Sequence, residues 1–267
     1  EVKDVYDNVC SLIPPNISAL NDTEPDANWQ VGGTVLNVFD NDERDNVALT
    51  PSDITMTVTT PDPTGSITLN ADGTVDLIPN TPPGTYTLTY QICDNTYPSI
   101  CDTATVSITT LPLPAVISTT DDLVCFQGSG QLSATVSSGV IHWYGTPTGG
   151  TALSTGSIFV PPITTSTTTY YVEAVDNWRI STTREPVTLT VQHTPLPTAN
   201  TTQTFCDIEN AMVSNLVATG TTIRWYINAT EIKPLSNSEA LANGTYYVAQ
   251  TLNTCESLRA PVNVIIY

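Results

Sequence analysis

One short strand occurs twice in the chain. Ile141-His142-Trp143-Tyr144 returns 82 residues later as Ile223-Arg224-Trp225-Tyr226. Each copy follows a cysteine, Cys125 or Cys206, and precedes a double tyrosine, Thr169-Tyr170-Tyr171-Val172 or Thr245-Tyr246-Tyr247-Val248. A block that recurs in register implies repeated modules rather than one large core. The order of cysteine, tryptophan and tyrosine narrows each module further, to a two-sheet sandwich with the tryptophan as its central peg.

That outline is immunoglobulin-like, and at about 100 residues per sandwich a chain of 267 residues holds two or three of them. Charged residues make up only 12% of the sequence while Thr, Ser, Val and Pro abound, which favours strands and turns over helices. The expected class is all-β, with tandem sandwiches. Two proline joints, Leu111-Pro112-Leu113-Pro114 and Thr194-Pro195-Leu196-Pro197, divide the repeats. Proline fixes φ and favours an extended path, so these joints predict semi-rigid spacers and an elongated array. Residues 1–15 read as a linker or the end of a preceding module, 16–110 as a first sandwich, 111–193 as a second and 194–267 as a third. Alternation predicts strands throughout, including Met212 to Ala218 in the third module.

The net charge of −19 excludes nucleic acid as a partner, because seven basic residues cannot neutralise a run of phosphates. An anionic membrane surface is disfavoured for the same reason, and no apolar run is long enough for membrane insertion. With no signal peptide either, the chain reads as an internal or mature piece of a larger exported protein. Six cysteines without a Cys-x-x-Cys pair, and only two histidines, do not make a zinc site; disulfides in an oxidising compartment do. Cys93 and Cys101 would close a short hairpin, and Cys206 and Cys255, which bracket the third module, are expected to pair. Cys125 has no counterpart within its module and is either a buried small hydrophobe or a partner for Cys10.

Period-two alternation assigns faces. With Trp143 and Trp225 inward, Tyr144 and Tyr226 should face out, beside Tyr171 and Tyr247 on the neighbouring strand. Such a tyrosine face stabilises the sheet and could also stack on sugar rings. Trp178, in the loop Asp176-Asn177-Trp178-Arg179, is a further candidate contact residue. His142 and His193 lie near no evident nucleophile, and nothing sets two carboxylates across a cleft, so the expectation is a protein that is not an enzyme.

The acidic stretch Phe39-Asp40-Asn41-Asp42-Glu43-Arg44-Asp45 follows a predicted strand. It lacks the glycine and distal glutamate of an EF-hand, yet Asp40, Asn41, Asp42 and Asp45, with Asp22 and Asp26, supply enough oxygens for one calcium ion. The competing reading is a solvated acidic loop.

The second and third modules, through Ile141 to Tyr144, Thr146-Pro147-Thr148-Gly149-Gly150, Thr168 to Val172 and Cys255-Glu256-Ser257, resemble the Ig-like modules of large secreted proteins of Bacteroidetes. The first resembles bacterial cadherin-like repeats through Val35 to Asp42, Asn70-Ala71-Asp72-Gly73-Thr74-Val75 and Cys101 to Val106. Such arrays occur in gliding-motility adhesins of the SprB type, cargo of the type IX secretion system. The resemblance implies a segment of a cell-surface adhesin, upstream of a sorting domain, with neighbouring modules, surface polysaccharide or other surface proteins as partners. It also implies calcium at Asp40, Asn41, Asp42 and Asp45, and it makes Thr103, in Asp102-Thr103-Ala104, a candidate for O-glycosylation. The alternatives are carbohydrate-binding modules of a secreted enzyme and the subunit of a surface filament.

Overall fold

The computed structural model describes residues 14–267. The architecture is all-β. The chain divides into two compact units at Leu113 and Pro114, the second of which contains two sandwiches.

In the first unit the strands are β1 (Ile17–Ser18), β2 (Asp22–Glu24), β3 (Gly33–Asn37), β4 (Glu43–Arg44), β5 (Val47–Ala48), β6 (Ile54–Thr60), β7 (Ile67–Leu69), β8 (Thr74–Leu77), β9 (Gly84–Asp94) and β10 (Cys101–Thr110). The main sheet has the order β2-β10-β9-β6, with β2 parallel to β10; the sheets β3-β8-β7 and β1-β4-β5 complete the unit. The alternation of β9 and β10 is regular: Tyr86, Leu88, Tyr90 and Ile92 enter the core opposite Ala104, Val106 and Ile108. The β7–β8 turn needs Gly73, whose φ of +86° and tight packing against Phe39 and Asn37 leave no room for a Cβ.

The second unit begins with β11 (Val116–Thr120), β12 (Asp122–Cys125), β13 (Leu132–Val136), β14 (Val140–Tyr144), β15 (Ser154–Thr155), β16 (Ile158–Phe159), β17 (Thr168–Asp176), β18 (Arg179–Ile180) and β19 (Glu185–Gln192). The sheet β11-β13-β16 faces the sheet β12-β19-β17-β14-β15. Trp143 is fully buried between them, stacked at 5.3 Å on Phe159, with its indole N–H donated to the Gly156 carbonyl. Burying such a side chain contributes about 3 kcal/mol.

The last sandwich comprises β20 (Thr202–Phe205), β21 (Ile223–Tyr226), β22 (Gly244–Leu252), β23 (Cys255–Glu256) and β24 (Ala260–Ile266), in the sheet β20-β24-β22-β21. The strand expected at Met212 to Ala218 is absent. Val213–Asn215 is a 3₁₀ turn in which the Asn215 carboxamide accepts the Met212 N–H, and Leu216 donates back to the Val213 carbonyl. An Asn side chain can compete with the ladder for backbone partners, and Asn215 does so here.

Candidate functional site

Three constellations bear on function. The first is repeated in both sandwiches of the second unit. Tyr144 pairs with Tyr171 across β14 and β17, and Tyr226 pairs with Tyr247 across β21 and β22, as alternation predicts. The exposed tyrosine face does not follow, however: Tyr144 is 8% exposed and Tyr226 only 1%, while Tyr171 and Tyr247 are half-buried. An arginine sits over each buried ring. The Arg184 guanidinium carbon is 3.3 Å from the Tyr144 centroid, and that of Arg259 is 3.5 Å from the Tyr226 centroid. Each arginine also ties down the turn after the tryptophan strand: Arg184 donates to the carbonyls of Thr146 and Gly149, Arg259 to those of Asn228 and Glu231. A carboxylate completes each set, Glu173 at 3.4 Å from Arg184 and Glu256 at 3.6 Å from Arg259. The Tyr226 hydroxyl donates to Glu256 at 2.5 Å. Burial first, and then the carboxylate, raises the pKa of Tyr144 and Tyr226 above the ordinary phenol value.

These arginines carry a sequence signal of their own. Arg184-Glu185-Pro186-Val187 and Arg259-Ala260-Pro261-Val262 are a second recurring motif, leading into β19 and β24. Trp178, at the tip of the β17–β18 turn, is half-buried with the Arg179 guanidinium 5.9 Å from its ring. Thr103 is exposed on β10.

The second constellation is acidic. Among the described residues no three His, Cys, Asp or Glu side chains converge as a metal-binding group. Of the six residues expected around calcium, the 3₁₀ turn Val38–Asp40 leaves Asp40 exposed while Asp42 is buried. Asp45 accepts the Asn16 N–H, Asn41 donates to the Asn21 carbonyl, and the Asp26 N–H is donated to Glu24. Asp22 and Asp42 come together at the buried Tyr90 hydroxyl, 3.2 and 2.9 Å away, with the Asn41 side chain hydrogen-bonded to Asp22. Asp42 also takes the Leu20 N–H at 2.8 Å. This donor set does not fit an ion that requires six to eight oxygens. The pair favours a shared proton below about pH 6: one hydroxyl hydrogen cannot serve two carboxylates, and burial, ahead of all other influences, raises the Asp22 pKa to about 6.

The third constellation concerns the cysteines. Cys93 and Cys101 are bonded as expected, directly opposite one another on β9 and β10. The expected Cys206–Cys255 pair does not form. Cys255 is bonded instead to Cys125, 130 residues earlier, and Cys206 is an exposed free thiol. The reason is topological. Cys125 ends β12 where that strand runs parallel to the last residues of β19, at the end of its sandwich nearest the following one. Cys255 opens β23 at the near end of that following sandwich, so the bond joins successive modules. The proline joint between them is fixed by hydrogen bonds as well: Thr194 Oγ1 donates to the Cys255 carbonyl at 2.9 Å, and the Gln250 carboxamide to the Pro195 carbonyl at 2.9 Å. Cys10 lies outside the described residues.

Together these features define a protein of tandem Ig-like sandwiches. Comparison with protein families agrees: residues 112–192 and 195–267 each match the Ig-like domain described as CHU_C associated, and residues 14–109 match a bacterial Ig domain. The chain belongs to the CHU_C-associated Ig-like family. No curated protein matches it. Among solved structures it is similar to the I-band fragment I67–I69 of titin, at 11% identity and a TM-score of 0.42, covering 96% of this chain and 99% of that one. It is also similar to the human desmocollin-1 ectodomain, at 11% identity and a TM-score of 0.37, covering 95% of this chain and 61% of that one. Drosophila N-cadherin EC1–4 gives 15% identity and a TM-score of 0.32, covering 93% and 74% respectively.

Proposed function

We propose that this chain is a non-catalytic segment of a bacterial cell-surface adhesin of the SprB type, a stalk whose modules hold contact surfaces away from the cell. The observation that carries this reading is the join between the second and third modules. A flexible string of binding domains needs only a linker, whereas here a disulfide and the Asn253–Gln192 side-chain hydrogen bond at 3.3 Å join one sandwich to the next, and the proline joint is itself tied down on the third module. Disulfides also support an oxidising, extracellular location. The buried tyrosines count against the carbohydrate-binding alternative, since Arg184 and Arg259 already occupy the ring faces on which a sugar would stack. Gliding motility and export through the type IX system complete the proposal.

Antibodies raised against the folded chain provide the test. They are expected to label intact source cells, and labelling only after permeabilisation would overturn the reading. A glycan array is expected to give no hits that depend on Tyr171 or Tyr247.

A further inference from the structure

We propose that Cys206 is one half of a second inter-module disulfide, whose partner is the cysteine at the Cys255 position of a further Ig-like module attached after Tyr267. The inference rests on the array part of the proposed function.

The backbone environments of Cys125 and Cys206 correspond. Cys125 lies at the end of β12, paired in parallel with Gln192 on β19; the next residue, Phe126, donates its N–H to the Gln192 carbonyl. Phe205 lies at the end of β20, paired in parallel with Ile266 on β24; after Cys206, Asp207 donates its N–H to the Tyr267 carbonyl. Cys206 therefore has the same place in its sandwich as Cys125, and Tyr267 the same place as Gln192. Both cysteines are exposed on their own module. At the first of these equivalent positions the sulfur is bonded to the following module, which is an independent observation of what the position binds.

The receiving position shows the same logic. Cys255 pairs with Leu252 across the β22–β23 turn, and in the preceding module the matching turn pairs Asp176 with Arg179. Arg179 thus stands where Cys255 stands. A module of this plan carries an outgoing cysteine at one end, and its receiving position is filled by cysteine only where the module before it supplies a partner. On this view the missing second cysteine of the middle module is no defect of an internal bond.

Formation of the bond removes two electrons and two protons from the two thiols. A disulfide oxidant, such as oxidised glutathione or a dithiol oxidase in its disulfide form, accepts them and is reduced to thiols.

The test extends the chain after Tyr267 with a second copy of residues 193–267 in which the copied Cys206 is replaced by serine, oxidises it in a glutathione buffer, and maps disulfides by mass spectrometry of unreduced digests. The expected result is a peptide linking Cys206 to the appended copy of Cys255, with Cys125–Cys255 retained and Cys206 no longer alkylated. Replacing the appended cysteine by arginine, the residue found at 179, should restore Cys206 alkylation in full. A second extension, with a copy of residues 111–192 carrying Arg179→Cys, should capture Cys206 equally. Cys206 left reactive in both extended chains, or bonded to Cys10, overturns the proposal. Surface labelling of cells is unaffected by either result, so the two readings fail separately.

Discussion

The two disulfides work at different levels of the molecule. Cys93–Cys101 joins neighbours on β9 and β10, strands already paired from Cys101 to Thr110, and its separation is eight residues. Cys125–Cys255 spans 130 residues and joins two sandwiches that share no sheet. The first reinforces an arrangement the backbone has settled; the second creates one that the backbone alone leaves to a proline joint and a few side chains. Cysteine spacing is thus a poor guide to a cysteine's role, and position relative to the ends of the sandwich is a better one.

The largest test of this contrast is to remove each bond. In the chain-entropy treatment, closing a 130-residue loop stabilises by roughly 5 kcal/mol and closing an eight-residue loop by roughly 2.5 kcal/mol. Cys125→Ser is expected to lower the denaturation midpoint of the second unit by more than Cys101→Ser lowers that of the first, and to let the second and third modules unfold separately. Equal losses would break the distinction.

A somewhat smaller effect separates the units by pH. Asp22 is 7% exposed, and its pKa rises from 3.8 to about 6 on folding. A raised carboxylate favours the fold while protonated, so this contribution is complete below pH 3.8 and is lost as pH rises through about 6, at a cost of about 3 kcal/mol by pH 7. Asp62 and Asp94 act in the opposite direction, since their depressed pKa values make acid below about pH 4 destabilising. The first unit should therefore melt highest near pH 4–5, and Asp22→Asn should raise its midpoint at pH 7 and flatten the slope between. A slope unchanged by that substitution would remove the shared-proton account of Asp22, Asp42 and Tyr90.

The smallest predicted effect compares the two repeats. Arg184→Met and Arg259→Met each delete a stacked cation and two hydrogen bonds to carbonyls, at about 1–2 kcal/mol apiece. Similar losses in urea titrations would sharpen the equivalence of the repeats. A loss confined to one would show that the other module relies on its core.

Much of the fold is legible in the sequence because it follows from period and punctuation. The tryptophan pegs, the Tyr144–Tyr171 and Tyr226–Tyr247 pairings, the β9–β10 hairpin and the proline joints all rest on local pattern. The candidate site is less legible. Alternation says that Tyr144 points away from Trp143, but it does not say what lies above, and the cover comes from Arg184, forty residues later. Cys255 has upstream cysteines in both its own module and the preceding one, and spacing alone favours the nearer. The acidic stretch is less legible because composition counts oxygens without knowing that one 3₁₀ turn leaves Asp40 exposed and Asp42 buried.

The bond between Cys125 and Cys255 also changes how the chain would bear tension. Pulled from beyond its two ends, the covalent path enters at Cys125, crosses two sulfur atoms and leaves at Cys255. The residues between, Trp143 and Trp225 among them, carry none of the load. At 3.3–3.6 Å per residue, roughly 430–470 Å of chain is withheld from extension until the disulfide is reduced. Strain falls on β11, β12, β23 and β24 instead, and the rest of both sandwiches is shielded from the pull.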